Sequence, residues 1–118
     1  MSQILCDAAL ATIKIGLAAE ALTRKSGVKA TCYMTQTNDL IIGVTPVAFA
    51  SGDVFSANVG GLLYAMSSSQ NGTINVGDEV TTGAAGKLIK HANGNTKAQG
   101  ICITAVDADG GIIYKPYY

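Results

Sequence analysis

Glycine turns constrain this chain more than any other feature. Residues 74–104 read INVGDEVTTGAAGKLIKHANGNTKAQGICIT. Gly77-Asp78, the stretch 83–86 and Asn93-Gly94-Asn95 cut this segment into the short runs 79–82, 87–90 and 100–104. Glycine reaches positive φ without a Cβ clash, so each cluster can reverse the chain tightly. Short runs bounded by Gly, Asn and Asp read as strands joined by tight turns. The predicted architecture is mainly β, a small barrel or sandwich of short strands.

The chain also matches itself. Residues 15–30 (IGLAAEALTRKSGVKA) align without gaps on 74–89, pairing Ile15 with Ile74, Glu20 with Glu79 and Gly27 with Gly86 at an offset of 59. Further on, Gly43-Val44 falls on Gly100-Ile101 at 57, and Gly52 on Gly110 at 58. Small loop changes between two copies produce such drift. The reading is two similar β-units about a pseudo-two-fold axis; the alternative is a chance match between Ala- and Gly-rich stretches.

Along the chain, 1–10 read as an N-terminal arm or edge strand and 11–118 as one β domain. Residues 7–25 leave two readings open: a strand over 11–15 followed by a helical turn over 17–24, or a single short helix capped by Asp7 and closed by Gly27. Residues 27–35 (GVKATCYMT) suggest a strand with Val28, Ala30, Cys32 and Met34 on one face. A central strand over 40–44 is interrupted by Gly43, where another backbone or a bulge approaches. Strands are also expected at 54–59, 62–66 and 112–115, and Pro116, which lacks an N–H, ends the last ladder.

Charged residues make up only 14% of the chain, against about 25% in an ordinary soluble domain. The deficit is concentrated: residues 54–77 carry no charge at all. A monomer would solvate that surface with Lys and Glu, so an assembly that covers it is the more economical reading, and a homo-oligomer is expected, a trimer before a dimer. The net charge of zero argues against nucleic acid, which needs a concentrated basic face. The longest apolar run, 40–50, is too short to span a bilayer, and the N-terminus has no basic n-region, so no membrane partner is expected and the chain reads as soluble and intracellular.

The inventory for chemistry is thin. His91 is the one histidine and reads as a solvated surface residue. Cys6, Cys32 and Cys102 are odd in number, without CxxC spacing, and sit among apolar neighbours as free thiols do. Asp107-Ala108-Asp109-Gly110 opens like a calcium loop, but no closing Glu follows, so it reads as a turn. Asp78 and Glu79 are adjacent and would point to opposite faces of a strand, which disqualifies them as an acid–base dyad. No phosphate loop and no nucleophile motif is present. No catalytic residue, metal or cofactor is expected.

With the turns placed, the stretch IIGV…ASGDVF…GGLLYA…INVGDEVTTGAAGKLIKHA…AQGICITAVDADGGII resembles the short bacteriophage capsid decoration, or cement, proteins. The matching positions are Gly43, Gly52, Asp53, Gly61, Gly77, Asp78, Gly86, Gly100 and Gly110-Gly111. The resemblance implies a structural virion protein, assembled in the host cytoplasm, that binds the major capsid protein on the outside of the phage head and stabilises the shell. β-modules of phage tail fibres share the core pattern and are one rival. A lipoyl- or biotinyl-type carrier module is another, although Lys87 lacks the flanks of a modifiable lysine.

The interface is expected in the uncharged span, at Phe55, Leu62, Tyr64 and Met66, because alternation along a strand would turn about half of its apolar side chains outward. Tyr114, Tyr117 and Tyr118 are the second set: aromatic, near the end of the chain, able to bury a ring while keeping the hydroxyl bonded.

Overall fold

The computed structural model describes residues 11–95 and 97–118; the expected arm lies outside them. Among the described residues nine strands make two antiparallel sheets. The first holds β1 (Ala11–Leu17), β2 (Gly27–Val28), β3 (Gly43–Val44) and β4 (Val54–Val59), in the order β1-β4-β3-β2. The second holds β5 (Leu63–Met66), β6 (Glu79–Thr82), β7 (Leu88–Lys90), β8 (Gly100–Cys102) and β9 (Gly111–Pro116), in the order β5-β9-β8-β6-β7. The only helical piece among the described residues is one 3-10 turn, Ala84–Gly86.

Four of the turns share one device, and it explains the Gly-Asp pairs. In 50–53, 75–78, 36–39 and 92–95 the fourth residue's N–H donates to the first residue's carbonyl. The side chain of that fourth residue (Asp53, Asp78, Asp39 or Asn95) accepts the first residue's N–H at 2.8–3.0 Å. The third residue has positive φ: Gly52 87°, Gly77 89°, Asn38 69° and Gly94 96°. Glycine and asparagine tolerate that conformation best, and a short carboxylate or amide is the right length to close the ring. The motif is a self-capping turn.

The two sheets draw one hydrogen-bond pattern twice. Lys25 N–H donates to Thr45 and Thr45 N–H to Ser26; Gly77 N–H likewise donates to Cys102 and Cys102 N–H to Asp78. Ile42 to Val28 is matched by Gln99 to Val80, and Thr35 to Gly27 by His91 to Glu79. β3 and β4 pair at Val44 and Asn58, β8 and β9 at Ile101 and Lys115, and the whole β2-β3-β4 ladder reappears in β6-β8-β9. Gly43-Val44 therefore does correspond to Gly100-Ile101. The earlier half of the self-alignment was out of register: Gly27 corresponds to Glu79, not Gly86. Gly27 is a strand residue, whereas Gly86 is a turn residue at φ 75°. Composition matched two glycines that serve different purposes.

Other expectations also change. No helix forms over 17–24; Ala18 and Leu22 are buried instead, Leu22 bridges to Phe49, and Glu20 accepts the Met34 N–H at 2.9 Å. Helix propensity is worth tenths of a kcal/mol per residue, and burying those side chains outweighs it. Residues 27–35 are not one strand. The chain turns at 29–32, with Cys32 at φ 71°, and Met34 returns to bridge Val28. Of 40–44 only Gly43–Val44 is strand, and Leu40 is exposed.

The main core joins the sheets. Ile41 and Val44 from the first half pack with Leu63, Ala65, Ile74, Val80, Leu88, Cys102, Ile112 and Tyr114 of the second. A smaller cluster, Ala18, Leu22, Val28, Phe55 and Ala57, lies under the first sheet. Gln99, 4% exposed, stitches the halves: its Oε1 accepts the Ile41 N–H, and its Nε2 donates to the Asp39 carbonyl.

Candidate interaction surface

The chain's end continues the second sheet. β9 pairs with β8 through Pro116, and the Tyr117 N–H then donates to the Gln99 carbonyl at 2.9 Å, extending the ladder by one step. Both terminal tyrosines are fixed by their hydroxyls. Tyr117 donates to Glu79 Oε2 at 3.0 Å, and the Tyr118 hydroxyl bonds that of Tyr114, whose side chain is fully buried. Burial of the hydroxyl end pushes the Tyr118 pKa well up, the Tyr114 bond opposing it; desolvation and then the Glu79 carboxylate raise that of Tyr117. As whole residues Tyr117 and Tyr118 nevertheless stand 54% and 39% exposed.

Leu40, 59% exposed, meets them from the first half. Leu40, Lys97, Ala98, Gln99, Tyr117 and Tyr118 line a shallow hollow of about 50 Å³. A hollow of about 270 Å³ continues from Leu40, Lys97 and Gln99 to Asn38 and Asp39. Asp39 is already neutralised: its carboxylate takes Lys29 Nζ at 2.9 Å and the Gln36 N–H at 2.8 Å, and these bonds hold its pKa below the ordinary value against partial burial. Lys97 has no ion pair among the described residues.

The other expected interface residues go elsewhere. Phe55, Tyr64 and Tyr114 are 0–2% exposed within their own chain, so they offer no surface to a partner; Leu62 and Met66 are half-buried. Alternation misled because β5 is covered on both sides. The segment after β8 folds back over its outer face, with Ile103 N–H donating to Ile113 and Tyr64 Oη to Asp107 Oδ2. The sequence does not single out Leu40 or Lys97; Leu40 reads as part of a strand over 40–44, and nothing beside Lys97 marks it.

The chemical candidates serve the fold. Besides the Tyr64 hydroxyl, Asp107 accepts the N–H groups of Asp109 and Gly111, so three donors of its own chain occupy the carboxylate. His91 is half-buried rather than solvated, with its Nε2 enclosed and unpartnered. Cys102 is buried and bonds the Thr104 carbonyl; burial, then the nearby Asp78, raises its pKa. Among the described residues no group of His, Cys, Asp and Glu is placed to hold a metal ion. A hollow of about 300 Å³ under Ser67, Ser68, Ser69 and Thr73 is lined by hydroxyls over Ile74 and Val106, without a titratable group.

Residues 8–115 match the family model for phage cement protein. The chain belongs to that family. It is thereby a capsid-associated structural protein of a phage, and the Gly-Asp turns that carried the resemblance are the self-capping turns described above. The fold agrees with that of a solved structure, the head fiber gp8.5 N base of bacteriophage phi29. The TM-score is 0.70 at 14% identity, covering 90% of this chain and 92% of that one. No curated protein matches the chain in sequence.

Proposed function

We propose that this cement protein decorates the outside of an assembled phage head, contacts the major capsid protein and reinforces the shell. It acts as a homo-oligomer, a trimer in preference to a dimer, at the virion surface after assembly in the host cytoplasm. It has no chemical activity, and neither nucleic acid nor membrane is its partner. The observation that carries this reading is the family match over nearly the whole chain. The low charge and the rigid apolar end formed by Leu40, Tyr117 and Tyr118 support it.

The test is purification of intact virions with quantitative protein analysis. The expected result is this chain at a copy number commensurate with the major capsid protein, at its unmodified mass and accessible to protease on intact particles. A chain absent from virions, or found only inside them, contradicts the proposal. A lipoyl or biotinyl adduct on Lys87 would also contradict it.

A further inference from the structure

At β5 the two halves meet head to tail. The shared ladder matches Asn58 to Lys115. Ile13, opposite Ala57, then corresponds to Leu63, opposite Tyr114, and Leu17, opposite Val54, to Met66, opposite Gly111. Ala18 N–H donates to Asp53 as Ser67 N–H donates to Gly110, which fixes the same register. Lys25 corresponds to Gly77, and both have positive φ, 56° and 89°. Within the chain the first half presents Lys25 and Val44, and the second presents the edge of β5. The Met66 N–H donates to the Lys25 carbonyl at 2.9 Å, β3 lies against β5, and Leu63 shares a core with Val44. A two-fold contact would repeat the backbone bond from Leu17 to Gly77, and among the described residues that bond does not occur.

Each side of that contact therefore has an unused counterpart. Leu63 is fully buried, but Ile13 is 46% exposed and Leu17 61%. Lys25 and Val44 are buried, whereas Gly77 is exposed and Ile101 half-buried. The chain closes its other sheet edges itself: Met34 bridges Val28 beside β2, Lys25 serves β5, and Ser68 N–H bonds Leu88 beside β7. Along 11–17 no backbone bond reaches the outer edge of β1 among the described residues. Ala18 N–H turns inward to Asp53, so the Leu17 N–H points outward, as that of Met66 does. An open edge carrying exposed apolar side chains is a template for another chain.

We infer that β1 of one copy docks on the Gly77 and Ile101 surface of the next, repeating between chains the contact that joins the halves within one. The Leu17 N–H donates to the Gly77 carbonyl, and Ile13 packs towards Ile101. The inference rests on the reading of the chain as a homo-oligomer and names the surfaces that build it. Ile101 pairs with Glu79 on one side and Lys115 on the other, so that face is electrically balanced and does not repel Lys14 of β1. Head-to-tail contacts close into rings or run on as filaments, and closure is what the proposed trimer requires.

Complementation between two variants tests it. Ile13→Lys spoils the β1 side and keeps the other; Ile101→Lys does the reverse. In sedimentation velocity the wild type should run as an oligomer and each variant alone as a monomer. Mixed in equal amounts, the variants should form a complex of two chains. One intact contact is then available, and the other would set lysine against lysine. Recovery on mixing also shows that both variants are folded. If either lacks the wild-type circular dichroism, Ile13→Ser and Ile101→Thr are read in their place. A variant that stays oligomeric overturns this contact and leaves the oligomeric reading standing. Variants that dissociate but do not pair overturn it too, because a two-fold contact behaves that way. A monomeric wild type overturns both, and the decorating role then rests on the virion analysis alone.

Discussion

The two sheets carry one hydrogen-bond ladder and fill it differently. Where β3 passes β4, a Cβ on Gly43 would lie 2.8 Å from the Cβ of Ala57; at the matching place in the second sheet, a Cβ on Gly100 would lie 2.7 Å from the ring of Tyr114. The glycine is required in both, but the first sheet covers it with the smallest side chain and the second with one of the largest. The cores differ too: among the described residues the cluster under the first sheet has five buried members, completed by partly buried Ile15, Cys32, Met34, Ile42 and Phe49, while the second collects ten buried ones, two of them contributed by the first half. A repeated backbone pattern therefore does not imply repeated stability. The second half is the anchor, and the exposed aromatic end is attached to it.

Leucine truncations probe that inequality most strongly. Leu63→Ala in the large core should cost about 4 kcal/mol and Leu22→Ala in the small one about 3 kcal/mol, measured by urea unfolding. Hydrogen exchange should show Leu22→Ala loosening β1–β4 while β5–β9 stay protected. Equal costs and uniform loosening would mean that the two halves are a single cooperative unit.

The matched glycines come next. Gly100→Ala drives a methyl group into the Tyr114 ring and to 2.9 Å from the Lys115 carbonyl, and should cost about 3 kcal/mol. Gly43→Ala meets first the small Ala57 side chain at 2.8 Å, then the Asn58 carbonyl at 3.0 Å and the Val59 side chain, and about 2 kcal/mol is expected. Reversal of that order in thermal melts would remove the argument from side-chain size.

These glycines also show what the sequence made legible. Gly43 could be read as a place where a strand must be bare, and Gly52-Asp53 and Gly77-Asp78 as turns, because both roles depend on local geometry; the same need at Gly100 shows only in the fold. Register between the halves was not legible, since glycine marks a close approach at Gly27 and a positive φ at Gly86, and the letter does not say which. The burial of Tyr64 was hidden because the residues that cover it, around Ile103 and Asp107, arrive from a distant part of the chain. Of the surface groove, Tyr117 and Tyr118 were visible as terminal aromatics. Leu40 and Lys97 become neighbours only when both halves are folded.

The join between the halves should respond less than either core. Gln99→Ala leaves the buried Ile41 N–H unpaired, at a cost of about 2 kcal/mol. A smaller loss would show that apolar contacts alone hold the sheets together. Asp39 gives the smallest effect. Its folded pKa lies below the ordinary 3.8, so its stabilisation is complete above that value and is lost as pH falls through the lowered one. Asp39→Asn should cost about 0.5 kcal/mol near pH 6, the pair being partly exposed. The difference from wild type should shrink as the pH falls below 3.8. A difference that grows on acidification would contradict the assigned Lys29 pairing.

Reinforcement is the central claim, and heat challenge of shells tests it most directly. Shells assembled without this protein are divided, one half is decorated to saturation, and both are warmed while release of their contents is followed. The account predicts that decorated shells stay closed at temperatures where bare shells open, and that shells decorated and then stripped behave as bare ones. Decorated and bare shells opening at the same temperature would contradict it.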